Sequence, residues 1–282
     1  MFRLNYFQLN YFNFNKGKFF LINLVVLFLF ISCSKYQKLV KSTDNDKKYE
    51  AALSYYNKKD FYRALQLFDQ FSGIYRGTSK GELIDYMYAK SYYEMNNYNL
   101  AAHYFSEFAL KYPKSEKAEE CAFLSAYCKY LESPQYSLDQ TNTKQAIQEL
   151  QLFINLYPLS SKRDECNKLI DNLRQKLELK AYEVAMLYYD TEEYNASITA
   201  FNTVISDYPD TGFKEQALYY IIKANFKLAI NSIEIKKFDR YNSTLSAYRK
   251  FKEQFPESRY IKECNNIYNF SLKEINKLNK NI

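Results

Sequence analysis

A short ruler repeats along this chain and leaves few folds open to it. Ala101 is followed by Phe105, Phe108 and Pro113, at four, seven and twelve residues' distance. The same offsets hold for Ala146, Leu150, Phe153 and Pro158, for Ser197, Phe201, Val204 and Pro209, and for Thr244, Tyr248, Phe251 and Pro256. An earlier copy, Ala64, Phe68 and Phe71, departs only where Arg76 stands in the proline's place. A small residue with large apolar ones at i+4 and i+7 marks one face of a helix, and the small residue is where a second helix can come close. Each copy ends in a similar tag: YRGTS at 75–79, YPKSE at 112–116, YPLSS at 157–161, YPDTG at 208–212 and FPESR at 255–259. Proline disfavours helix in the residue before it, and the Ser or Thr two places later can accept from the free N–H groups of the next helix. Each tag therefore reads as one helix ending and another beginning. A lone helix pair cannot bury its own apolar face, so such units must stack.

A second small residue precedes each ruler: Ala52, Ala89, Ala126, Ala185 and Ala224. It is expected to face Ala64, Ala101 and their equivalents across the pair. With Tyr55, Phe61 and Phe68, then Tyr92, Tyr98 and Phe105, then Tyr188, Tyr194 and Phe201, the pattern resembles the tetratricopeptide repeat over about 46–256. The resemblance implies an all-α superhelical solenoid of five helix pairs closed by a capping helix at 257–279. Five glycines and five prolines in 282 residues agree with helix throughout. No breaker interrupts Arg163 to Asp190, which predicts one long helix, and residues 213–236 read as a similarly extended one. Glu132 to Thr143, ESPQYSLDQTNT, is rich in turn-formers and predicts a surface loop.

The first residues have a different character. Arg3, Lys16 and Lys18 precede the apolar run from Phe19 to Ile31, which is shorter than the roughly 20 residues of a spanning helix. Basic, apolar and small residues in that order describe a secretory signal over 1–32. The ending Phe30-Ile31-Ser32-Cys33 resembles a bacterial lipobox, which implies cleavage and acylation at Cys33 with palmitate-type chains. Residues 33–45 would then be a lipidated linker, with N-terminal repeats at 46–115 and C-terminal repeats at 116–256. No acidic tag follows Cys33, so the resemblance implies an outer-membrane location with the chain facing the periplasm.

Removing 1–32 lowers the formal net charge of +7 by three, and the remaining excess is spread along the helices. Nucleic-acid binding gains no support from that distribution. Cys121 and Cys128 lie about 10.5 Å apart along one helix, too far for the ~7 Å span of a disulfide. Cys166 and Cys264 stand alone, so no metal site is expected. The single histidine, His103, has no fixed Ser or Cys partner in the sequence, and the Glu119-Glu120 and Glu192-Glu193 neighbours point different ways on a helix. No enzyme and no cofactor is expected. The candidate surface is a set of tyrosines seven residues apart on the first helix of a pair: Tyr49 and Tyr56, Tyr86 and Tyr93, and further along Tyr182 and Tyr189. Tyrosine offers apolar area and a polar tip at low entropic cost, suited to extended peptide segments. Packing between repeats is the competing reading of the same residues.

The segments CSKYQKLVKSTDNDKKYEAALSYYNKKDFYRALQLF and YSLDQTNTKQAIQELQLFINLYP are similar to the BamD family, the lipoprotein subunits of the machinery that assembles outer-membrane β-barrels. The similarity runs over nearly all of 33–275. It implies a BamA-like barrel protein, unfolded outer-membrane proteins and accessory lipoproteins as partners, and attachment to the membrane through the lipid anchor. Two other classes remain open from the residues: a repeat lipoprotein coordinating cell-wall synthesis, and a nutrient-binding lipoprotein.

Overall fold

The computed structural model describes residues 35–71 and 73–280; the expected signal peptide at 1–32 and Cys33 lie outside the described residues. Among the described residues there is no strand. Eleven helices follow a helical stretch at 35–40: α1 (Asn45–Asn57), α2 (Phe61–Phe71), α3 (Ser79–Glu94), α4 (Tyr98–Lys111), α5 (Ala118–Leu131), α6 (Thr141–Leu156), α7 (Arg163–Asp190), α8 (Tyr194–Asp207), α9 (Lys214–Ile230), α10 (Glu234–Gln254) and α11 (Ile261–Lys280). Five pairs and one further helix is the count the ruler requires.

The chain forms two compact units, residues 1–118 and 119–282. In the first, α1 packs on α2, α2 on α3, and α3 on α4. In the second, α5 meets α6 through the rings of Phe123 and Phe153, 5.7 Å apart. From α6 to α11 each helix packs on the next.

Burial follows the ruler. The small residues Ala52, Ala64, Ala89, Ala101, Ala146, Ala185, Ser197, Ala224 and Thr244 are all fully enclosed. Phe68, Phe71, Phe105, Phe108, Leu150, Phe201, Val204 and Phe251 are buried with them, the largest side chains of the core. How near the small residues let the backbones come is seen in the fourth pair, where Ser197 Oγ donates to the Ala185 carbonyl at 3.1 Å. A larger side chain at either place would push the helices apart and forfeit the contacts of the neighbouring aromatics.

The turns inside the first, second and fourth pairs share one construction. Lys59, Asn96 and Glu192 have φ of 61°, 58° and 64°. In each case the left-handed residue donates to the carbonyl three back and its successor to the carbonyl five back: Lys59 to Tyr56 and Asp60 to Tyr55, Asn96 to Tyr93 and Asn97 to Tyr92, Glu192 to Tyr189 and Glu193 to Tyr188. These are Schellman closures, which satisfy the orphan carbonyls of a helix end.

Between pairs, the Ser or Thr of the tag caps one turn ahead of the helix proper. Ser115, Ser160, Thr211 and Ser258 accept from the backbone N–H two residues on, at 3.0–3.2 Å. Thr78 alone caps its helix directly, accepting from Gly81 at 3.1 Å. That exception belongs to the tag without proline: α2 ends at Phe71, and a run of turns through Gly77 (φ 78°) fills the gap.

The long helix over Arg163–Asp190 is present. The extended helix over 213–236 is not: α9 stops at Ile230 and α10 begins at Glu234. The break is made without Gly or Pro. Ser232 turns its hydroxyl back onto the Leu228 carbonyl, which the Arg240 guanidinium also reaches, while the Asn231 and Ser232 amides close the last turn on the Lys227 and Ala229 carbonyls. The last helix starts at Ile261, after the cap turn, rather than at 257.

Candidate functional site

The six tyrosines singled out by spacing stand on α1, α3 and α7, each pair two helical turns apart and so on one face. Their rings reach into the seams between helices. Tyr49 is 7% exposed and meets Phe71 and Tyr75 with centroids 6.1 and 5.8 Å away. Tyr56 lies against Phe61 at 5.6 Å, Tyr86 against Phe108 at 6.1 Å, and Tyr93 against Tyr98 at 5.8 Å. Tyr182, 8% exposed, stacks on Phe213 at 4.7 Å, and Tyr189 meets Tyr220 at 5.0 Å. Tyr56, Tyr86, Tyr93 and Tyr189 remain half-buried. Lysines lie over three of the six rings: Lys80 over Tyr49, Lys117 over Tyr86 and Lys90 over Tyr93, at 4.9, 4.3 and 4.7 Å. A lysine over a ring face is a mobile cover, held by about 1 kcal/mol or less when exposed, and can be displaced by a bound aromatic or drawn toward a carboxylate.

A second surface of the first unit escapes the spacing argument. Asp69 of α2, Tyr88 and Asp85 of α3, and Tyr104, Glu107, Leu110 and Lys111 of α4 line an open cleft of about 740 Å³. Tyr88 donates to Asp69 at 2.6 Å and its ring meets that of Tyr104 edge-on at 4.7 Å, while Tyr92 and Tyr104 stack at 5.3 Å. Burial, and then the bond to Asp69, push the Tyr88 phenol well above its ordinary range, so it stays a neutral donor. Lys111 closes on Asp85 at 2.6 Å. Leu110 projects into solvent at 80% exposure. Tyr88 and Tyr104 stand one residue before Ala89 and Phe105, off the offsets of the ruler, so the spacing does not mark them.

In the second unit the loop between α5 and α6 is built around one side chain. Gln140 is 5% exposed, and its amide nitrogen donates to the carbonyls of Gln135, Leu138 and Tyr136 at 2.9, 3.0 and 3.3 Å. Its oxygen accepts from Thr143 at 2.8 Å. From α7, Lys176 reaches Ser133 Oγ at 2.7 Å and Lys180 the Leu138 carbonyl at 2.5 Å. The loop is thus laid along α7, with Tyr136 and Leu138 outward at 37% and 52% exposure. One and two turns beyond Lys180, α7 also exposes Val184, Leu187 and Tyr188. Farther along, Tyr219 donates to Glu263 at 2.6 Å, Lys223 lies 3.2 Å from the same carboxylate, and Tyr219 stacks on Tyr260 at 4.2 Å. The bond from Tyr219, more than the lysine, holds the Glu263 carboxyl below its usual range.

These surfaces are made of rings, amides and paired charges. His103 is exposed, with Nε2 3.6 Å from Glu107. Cys121, Cys128, Cys166 and Cys264 are all fully buried. Among the described residues no group of three or more His, Cys, Asp or Glu could hold a metal ion, and no helix is long and apolar enough to cross a membrane.

Comparison with known proteins adds two findings. The model of the YfiO family, described as outer membrane lipoproteins, matches residues 41–241. A curated relative, the outer membrane protein assembly factor BamD of Caulobacter vibrioides, is 24% identical over 158 residues, which are 56% of this chain and 48% of the relative. The chain thus spans about half the length of the curated relative it matches.

Proposed function

The chain belongs to the YfiO family of outer membrane lipoproteins, and from that membership we propose that it is a non-enzymatic scaffold in the assembly of outer-membrane β-barrels. On this reading it is acylated at Cys33 and faces the periplasm. It binds a BamA-like barrel protein together with unfolded outer-membrane proteins, and the half-exposed tyrosines Tyr56, Tyr86 and Tyr93, with Tyr49 beside them, contact the substrate's extended segments. Tyr182 and Tyr189 form a separate, further candidate groove in the second unit. The observation that carries the reading is the family match, which runs from the stretch before α1 well into α10 and so takes in almost the whole set of helix pairs.

Depletion of the protein followed by quantification of outer-membrane barrel proteins tests the role. A fall in several unrelated barrels, with co-purification of a barrel protein bearing repeated periplasmic domains, is the expected result. Unchanged barrel levels would refute it, as would recovery of cell-wall synthases or a sugar transporter in its place. Photo-crosslinkers at Tyr56, Tyr86 and Tyr93 test the surface: adducts with a barrel protein's terminal segment are expected, and adducts formed only from elsewhere on the chain would move the site.

A further inference from the structure

The stretch between the expected acylation site and the first helix pair is fastened rather than free. Tyr36 is 7% exposed, and its hydroxyl donates to Gln66 Oε1 at 2.9 Å and to the Arg63 carbonyl at 3.2 Å. Its ring meets Tyr55 edge-on at 5.4 Å and carries the Arg63 guanidinium over its face at 5.3 Å. Leu39 and Val40 pack into the same core cluster as Ala52, Ala64 and Phe68. Tyr36, Leu39 and Val40 are spaced i, i+3, i+4, so they form the inner face of a helical stretch over 35–40. Backbone bonds from Lys41 to Gln37 and from Ser42 to Leu39 close it, and Ser42 Oγ accepts from Asp44, which caps α1. No slack remains between Tyr36 and α1.

The outer face of the stretch is cationic. Lys35, Lys38 and Lys41 are all exposed, and no carboxylate occurs from residue 34 to residue 43. The flanking acids are already paired, Asp60 with Arg63 at 2.9 Å and Asp44 with Lys47 at 2.7 Å. Beside Arg63, Tyr62 stands 72% exposed at the start of α2. Three exposed lysines and a tyrosine suit the headgroup layer of an anionic membrane.

We propose that residues 35–41 form a rigid foot that seats the first helix pair on anionic phospholipid, with Tyr62 close enough to report on it. The proposal rests on acylation of Cys33. Tyr36 is three residue steps from that cysteine, and at ~3.3–3.6 Å per residue those steps span at most about 11 Å. A free linker over 33–45 would instead let the first pair wander roughly 20 Å from the anchor. Since Tyr36 bonds to Arg63 and Gln66 of α2, that part of the helix is held to the bilayer, and Phe71 at its far end, whose carbonyl accepts from the Ile74 amide, lies about 12 Å from Arg63 along the axis.

The full-length acylated chain, reconstituted into phosphatidylethanolamine–phosphatidylglycerol vesicles carrying a headgroup quencher, tests this. Fluorophores are placed at Tyr62→Cys or Ile74→Cys, the other described cysteines being buried. The expected result is quenching several-fold stronger at position 62 than at 74. Inserting about ten Gly/Ser residues between Ser34 and Lys35 adds roughly 17 Å of slack, yet the foot keeps its own affinity, so the difference shrinks only partly. Combining the insertion with K35Q/K38Q/K41Q abolishes it, since each lysine shifts the seated-to-lifted ratio about five-fold on an anionic surface. Equal quenching at the two positions in the acylated native chain overturns the foot, as does a difference indifferent to the lysine changes. Incorporation of an alkynyl palmitate, lost in Cys33→Ser, is read in parallel: its absence from the native chain removes the anchor reading itself, whereas its presence with equal quenching removes the foot alone.

Discussion

At Gly81 the fold has no room for one more carbon. A Cβ there would stand 2.2 Å from the carbonyl oxygen of Tyr75 and 2.9 Å from its carbon, both of them backbone. Gly81→Ala must therefore shift the turn that links the first two pairs, and a loss of about 1–3 kcal/mol is expected, read as a lower urea midpoint at unchanged slope. The opposite sign is expected where side chains occupy left-handed backbone. Lys59 and Glu192 hold φ of 61° and 64° without the local hydrogen bonding that lets asparagine tolerate it. Lys59→Gly and Glu192→Gly should each raise stability by about 0.5–1 kcal/mol, and Asn96→Gly by less. A thermal melt in which the asparagine change gains as much as the other two would contradict the assignment of strain. The sequence made the enclosed alanines legible because a small residue at a fixed offset has few other uses. The left-handed turns were hidden, since NKKD, MNNY and TEEY contain none of the glycine that usually marks such a closure.

Among the elements, α7 was legible from the lack of any breaker, and the same argument overextended α9. At Asn231-Ser232 the helix ends with neither Gly nor Pro, and a serine hydroxyl and an arginine both turn to the Leu228 carbonyl of the last turn. Ile230, Ile233 and Ile235 then lie exposed around the break. The loop after α5 was legible as a loop but its rigidity was not, because nothing in QYSLDQ announces that Gln140 turns inward. Its amide holds three carbonyls of the loop, and Lys176 and Lys180 hold the loop to α7. Gln140→Ala removes the donor while leaving the lysines in place. Those carbonyls can then turn to water, so the cost is local opening rather than global unfolding. Amide exchange at residues 135–139 is expected to speed up at least about ten-fold, the equivalent of ~1.4 kcal/mol, with exchange in the middle of α7 unchanged. Loop protection that survives the substitution would show that the lysines alone set its shape.

For the molecule as a whole, the helix pairs could be read from the ruler and the family from the resemblance of two longer segments, while the cleft around Tyr88 could not, because a tyrosine carries no sign of the aspartate it will meet. The abundance of tyrosine, 30 in 282 residues, has a consequence at this scale. Burial is the largest cause raising the phenols of Tyr88, Tyr189, Tyr219 and Tyr241 above their ordinary range, and it pushes Tyr182 up to about 12. It also pushes the thiols of Cys166 and Cys264 up to about 11 and about 12. In each case the folded chain holds a proton that the unfolded chain releases at lower pH, near 10 for tyrosine and near 8.5 for cysteine. These groups therefore contribute stability that is fully present below the unfolded values and is lost as pH rises through the folded ones. The expected outcome is an alkaline unfolding above about pH 10, in which the buried phenols ionise together with the loss of helix. Tyrosinate absorbance and helical circular dichroism followed through the same titration check it. Coincidence of the late absorbance step with the fall in helicity is expected, because a phenolate cannot form inside the seams between helices without opening them. Ionisation of every phenol near pH 10 with the helices intact would mean that the seams admit water, and the same result would remove burial as the cause of the raised values.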